Sequence, residues 1–313
     1  MDNFIYSINA TLPVFIIIIL GKIFYRIHLI DDHSVSVINK FVFYVTLPCL
    51  VFKDLGLTKF NQKFDFSFIG FCFVVTLISI LGIWGLTELF MKNKTEKGAF
   101  IQASYRSSAA ILGMAFIDNM FGNAGLAPLM IIGAVPLYNI FAVIILTVKG
   151  KNPDQKADVK GTLLAVCKNP ILLGIVAALP FTFLQPTLPT FFVKTVSNLA
   201  ATATPLALIA IGASFEGSKA IKKICPTLIA TCTKLILLAS LFLPIAIWMG
   251  FRHQELVAIL IMLASPATPS CYIMAKNTNN DATLTSSIIV LTTLLSSVTL
   301  TLWIYLLKNL GFI

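Results

Sequence analysis

Acids, histidines and ordered cysteine motifs are what this chain has least of. Its 313 residues include only 13 Asp and Glu and 3 His, and charged residues of both signs make up 12% of the chain. A soluble domain of this size usually carries roughly 25%, so the chain has too little polar surface to surround a water-facing core. His28, His33 and His253 fall in loops or at the ends of apolar stretches, with no second ligand at helical spacing, which argues against a metal site. Six cysteines, at 49, 72, 167, 225, 232 and 271, form no CxxC pair. They read as small apolar packing residues and not as a disulfide framework. Catalysis would need a convergent acid, base or metal set, and the loops supply none, which argues against an enzyme and implies no cofactor.

What is abundant is hydrophobic length. Apolar residues make up 58% of the chain, in runs near twenty residues that can each cross roughly 30 Å of hydrocarbon as a helix. Ten spans can be drawn, at about 4–25, 34–52, 66–90, 98–118, 125–148, 163–183, 189–214, 226–250, 255–276 and 283–307. The first exceeds the apolar region of a signal peptide and lacks a basic leader, so it is expected to be retained. The expectation is an all-α, multi-pass protein of the plasma membrane whose partner is the lipid bilayer. The formal charge of +10 is spread over short connections and not gathered in one patch, which argues against nucleic acid.

Lys and Arg set the orientation. With the N-terminus outside, the inside segments collect fifteen Lys and Arg, among them Lys22, Arg26, Lys92, Lys94, Lys149, Lys219, Lys222 and Lys223, against six outside, so both termini are expected to be extracytoplasmic. The one long polar connection, residues 149–162, divides the chain into five spans before it (1–148) and five after it (163–313). Pro13 and Pro170, and Pro48 and Pro205, are each 157 residues apart; a slip of one more sets Ser107-Ser108 against Ser265-Pro266. Because each half has an odd number of spans, two such copies must lie upside down relative to each other.

The ninth span contains Leu263-Ala264-Ser265-Pro266-Ala267-Thr268-Pro269-Ser270-Cys271-Tyr272. Two prolines three apart remove two backbone donors and clash with the preceding turn, so an uninterrupted helix is not expected here. In lipid the freed carbonyls must turn toward protein or water. The second half-helix should start near Ser270 and present free N–H groups to an anion. Ser265, Pro266, Thr268, Pro269, Ser270 and Tyr272 are the candidate binding residues; a kinked packing helix is the plainer alternative.

In the fourth span, Gln102-Ala103-Ser104-Tyr105-Arg106-Ser107-Ser108 places an arginine near the bilayer centre, at a cost of at least roughly 2.5 to 3.5 kcal/mol. Arg106 should therefore face protein, water or a ligand, and its guanidinium can grip a carboxylate through two parallel bonds. Ser107 and Ser108 add hydroxyls. A structural role for Arg106, bound to helix carbonyls, is the competing reading. Thr46, Pro48, Asn198 and Pro205 are candidates for an opposing wall, although kinking and packing explain them equally well. Asp118 is a candidate coupling acid, while Lys234 of the eighth span is expected to snorkel toward the inner face. Together these groups predict an anion-selective site.

The segments Thr46–Leu50 (TLPCL), 203–214 (ATPLALIAIGAS) and above all 264–281 (ASPATPSCYIMAKNTNND) resemble the auxin efflux carrier family, whose bacterial members include malate permeases. The resemblance runs over nearly the whole chain. It implies ten transmembrane helices in two inverted five-helix repeats, with broken fourth and ninth helices crossing at the centre. Spans 1, 2, 6 and 7 would form a scaffold, and spans 3–5 and 8–10 a moving transport unit. The implied activity is secondary transport of a small mono- or dicarboxylate such as malate by alternating access, coupled to protons or sodium or to neither, with a homodimer suggested by analogy. The family's fourth-span crossover commonly carries asparagine and proline. Here Ser108 stands near the asparagine's place, no proline is present, and Arg106 lies close by, which points to a harder, doubly charged acid. Two alternatives are a sodium-coupled bile-acid-type symporter, which would need an Asn, Gln and Glu cluster that is not found, and a non-transporting receptor for an organic acid.

Overall fold

The computed structural model describes residues 2–57, 65–109, 117, 120–122, 126–150 and 164–313, with side chains described from Leu12 onward. The described residues are helical, and six helices among them are long and apolar enough to cross a membrane. In chain order the helices of eight or more residues are α1 (Asp2–Arg26), α2 (Asp32–Gly56), α3 (Phe66–Phe90), α4 (Lys94–Tyr105), α5 (Ala127–Lys149), α6 (Pro170–Leu184), α7 (Thr190–Ser214), α8 (Ile224–Trp248), α9 (His253–Ala264), α10 (Ser270–Asn277) and α11 (Ala282–Asn309). Asp118 and the linker from residue 151 onward lie outside the described residues.

Polar residues start the helices where the apolar runs begin. Asp31 accepts from the Ser34 N–H at 2.7 Å to cap α2, Asn93 from Thr95 at 3.2 Å for α4, and Asp281 from Leu284 at 2.9 Å for α11. Asn169 caps α6 just ahead of Pro170, whose missing N–H costs nothing in the first turn. Large apolar side chains remain exposed along the flanks, among them Phe183, Leu184, Leu241 and Trp248. On a soluble protein such a surface would aggregate; against lipid it is the favourable one.

Close helix approach rests on small residues. At Gly212 of α7 an added Cβ would collide with the Ile18 carbonyl of α1, and at Gly174 of α6 it would stand 2.9 Å from the Pro48 carbonyl of α2. Thus α1 packs along α7 and α2 along α6, with backbones nearly touching. At one end, Lys97 and Lys149 pair with Glu88, while Lys223 pairs with Glu96 at 2.8 Å and with Asp281. Burial alone would lower the Lys223 ammonium, but the two carboxylates more than offset it and hold the group above the ordinary lysine value.

Candidate functional site

The two interrupted helices meet. After Tyr105 the backbone turns extended at Arg106, whose N–H closes the last turn of α4 on Gln102 O at 3.1 Å. Ser107 then forms an antiparallel bridge with Ala267, and the Ser108 N–H donates to Pro266 O at 3.0 Å. On the other chain segment α9 ends at Ala264, Ser265 is extended, and α10 starts at Ser270. The proline-bearing break therefore falls where the sequence puts it, and each extended segment supplies the other's missing backbone partner.

The carbonyls that the prolines free are met by side chains from elsewhere. In a continuous helix Met262 O would accept from residue 266, but a proline has no N–H to give. Ser107 Oγ and Tyr138 Oη donate to it instead, the latter at 3.1 Å. Leu263 O accepts from Lys234 Nζ at 2.7 Å, and Lys234 also donates to Ser107 Oγ. The Ala267 N–H, drawn away from the helix, donates to Thr292 Oγ1 of α11 at 3.2 Å. Such satisfaction is obligatory where water cannot reach.

Arg106 is 6% exposed. Its Nη2 donates to Asn139 Oδ1 at 2.7 Å and its Nη1 contacts Met274 Sδ at 2.9 Å, while Asn139 Nδ2 is itself held by Val135 O at 3.0 Å. A guanidinium has five N–H donors, so these contacts orient it without exhausting it. Arg106, Ser107, Ser108, Thr268 and Ser270 line one cleft together with Tyr138, Asn139, Leu47, Val51 and Asp54. Its volume is about 40 Å³, little more than the roughly 30 Å³ share of one water molecule. An organic acid must therefore part the walls to enter. Arg106 and Ser270, the first residue of α10, thus share this space with the carboxyl of Asp54.

Other singled-out residues lie apart from it. Tyr272 lines a separate polar cleft of about 430 Å³ with Lys22, Asp32, Glu216, Lys276 and Ser286, and its hydroxyl has no hydrogen-bond partner among the described residues. Ser265 is fully buried, and its Oγ has no hydrogen-bond partner among the described residues. Pro266 contributes its carbonyl to the crossing, and Pro269 occupies the position before α10. Thr46 is buried and bonded to Val42 O at 3.4 Å, Pro48 packs on Gly174, and Asn198 and Pro205 are exposed.

Lys234 corrects the sequence reading. It does not snorkel to a surface but is wholly buried in the crossing, carried there by a π-helical turn, Thr233–Leu237, inside α8. Asp54 lies beyond the second span drawn from the sequence, which stops at residue 52, whereas α2 runs on to Gly56. Tyr138, Asn139 and Thr292 went unremarked, although a polar residue deep in an apolar span is a signal in itself.

The described residues form a helical bundle with a lipid-compatible exterior and a helix crossing that buries Arg106 and Lys234. Residues 6–304 match the family described as membrane transport protein, and the chain belongs to this family, that of the auxin efflux carriers. It is 23% identical over 313 residues to an uncharacterized transporter of Methanocaldococcus jannaschii, covering 96% of this chain and 99% of that one. It is 24% identical over 315 residues, 96% of each chain, to a Rhizobium meliloti protein named "Putative malonate transporter". The family and these names put the chain among transporters and not enzymes.

Proposed function

We propose that this protein is a secondary carrier for a small dicarboxylate of the malonate or malate type, bound at the helix crossing between the Arg106 side chain and the N-terminus of α10. The single observation that carries this reading is the shared cleft of Arg106, Ser107, Ser108, Thr268 and Ser270. One carboxylate would take the free edge of the guanidinium, and the other the N–H groups and hydroxyls around Ser270. The malonate named for the Rhizobium meliloti relative is an acid of this class.

Ten spans in two inverted repeats, 1–148 and 163–313, fit this role. The pairing of α1 with α7 and of α2 with α6 is what an exchange of the two halves about a two-fold axis requires. Alternating access then means that spans 3–5 and 8–10 move against spans 1, 2, 6 and 7, opening the closed cleft to each side in turn. The end that gathers Lys97, Lys149, Lys219 and Lys223 is the cytoplasmic one by the rule that inside connections are basic, which leaves both termini outside at the plasma membrane.

The test is uptake of labelled malonate, malate and lactate into proteoliposomes holding the purified protein. Saturable accumulation of a dicarboxylate, competed by the unlabelled acid, is the expected result. Binding without flux supports a receptor and overturns the carrier reading, and uptake confined to large amphipathic acids overturns the substrate class.

A further inference from the structure

The carbonyl end of broken α9 is a cation site by construction. A half-helix C-terminus carries a partial negative charge, and the Pro266 break leaves its last carbonyls without backbone donors. Oxygen ligands of this kind, backbone carbonyls and a hydroxyl, are those that hard cations such as sodium prefer. Here Leu263 O and Ser107 Oγ converge, and what they hold is Nζ of Lys234. The lysine is fully buried and reaches them from α8 through the π-helical turn Thr233–Leu237, which Trp303 of α11 steadies by donating to Leu235 O at 3.1 Å.

Two features argue against a simple structural peg. First, a neutral hydroxyl or amide would cap a carbonyl at far smaller desolvation cost than a buried lysine, and an ionisable side chain inside a membrane span is by default a functional one. Second, Ser107 joins the two cations: its hydroxyl accepts from Lys234, while its chain neighbour Arg106 faces the cleft that Ser107 itself lines. The positive charge on one side of the crossing is thereby connected to the anion space on the other.

We propose that Lys234 is a tethered cation, occupying the place that a free monovalent ion would otherwise take at the carbonyl end of α9, so that the carrier binds a doubly charged acid without sodium. This rests on the anion-carrier reading above and adds to it the source of the counter-charge.

The experiment compares wild type with Lys234→Ala and Lys234→Met in two measurements. In proteoliposomes, wild-type malonate uptake should be the same in sodium, potassium or N-methylglucamine at equal ionic strength. Lys234→Ala should be slower by on the order of tenfold or more, and methylammonium, which fits the vacated space, should restore part of the rate where tetramethylammonium does not. Lys234→Met fills the volume without the charge and should stay slow under all conditions. In detergent, without any need for transport, sodium or methylammonium should raise the melting temperature of Lys234→Ala and leave that of wild type unchanged.

Sodium-dependent wild-type uptake, or Lys234→Met running at the wild-type rate, overturns the proposal even if Lys234→Ala does not fold. A folded Lys234→Ala whose melting point ignores both cations also overturns it. Wild-type liposomes that take up neither malonate nor malate would sink the carrier reading instead, and the melting experiment would still decide the role of Lys234.

Discussion

The two interruptions at the crossing are made by opposite means. At 264–270 the backbone breaks because two prolines delete donors, and the fold then recruits Ser107, Tyr138, Lys234 and Thr292 to repair the damage. At 105–108 nothing in the local sequence forbids a helix, and the chain leaves it because Ser107 bridges to Ala267 and Ser108 donates to Pro266. One break is dictated locally and stabilised at a distance. The other is imposed from a distance, and it delivers the charged side chain Arg106 to the cleft. The lesson is that a membrane helix can be opened by what it crosses as well as by what it contains.

The comparison can be broken most severely at Arg106. Arg106→Ala should lower dicarboxylate uptake by at least about thirtyfold, since truncating one partner of a buried charge-assisted contact costs roughly 2 to 5 kcal/mol. Arg106→Lys, which keeps charge but loses the two-pronged grip, should recover only part of it. Unchanged uptake in Arg106→Ala would remove this residue from the site. Next, Pro266→Ala returns an N–H to the chain opposite Met262 O, letting α9 continue into the crossing. Uptake should fall about tenfold, of order 1.4 kcal/mol in the barrier, with slower amide exchange across 265–267 as the structural sign.

Tyr138→Phe removes one of the two hydroxyl donors to Met262 O while leaving Ser107 in place. A loss of about 1 kcal/mol in detergent stability is expected, and a loss as large as that of Pro266→Ala in uptake would show that Tyr138 touches the substrate as well. Alkaline pH probes the outer anchors of both breaks, because Lys223 ties the start of α4 to the corner between α10 and α11. Its raised value means that its contribution is complete below the ordinary lysine value of about 10.4 and is lost as pH climbs through the higher folded value. Thermal stability should therefore fall more steeply above pH ~10 in wild type than in Lys223→Met, and parallel curves would show that the cluster is inert. Smallest of all is Ser265→Ala: the buried hydroxyl has no hydrogen-bond partner among the described residues, so stability should stay within about 0.5 kcal/mol or rise slightly.

Several of these residues were readable in advance and several were not, for a consistent reason. Pro266, Pro269 and Ser270 announce a break and a restart because proline acts on its own backbone, and Arg106 announces itself by its cost in lipid. Lys234 was misjudged because helix periodicity gives a residue's depth and face but not its neighbour, and a π-helical turn shifts even the face. Asp54 was lost to a boundary error of one turn. Tyr138 and Thr292 gain meaning only once the backbone groups they meet have left the helix: Tyr138 donates to the Met262 carbonyl, over a hundred positions away, and Thr292, on a different helix, accepts from the Ala267 N–H.

By itself the sequence determined the membrane class, the helical content and the site of the proline break, since apolar run length and missing N–H groups act within a few residues of where they are written. Only the tertiary structure decided that α4 opens at Arg106, which side chains meet the carbonyls of α9, and that a lysine lies buried at their centre. Those outcomes depend on which donors from distant helices reach an unsatisfied acceptor first in a medium without water, and no local pattern encodes that distance.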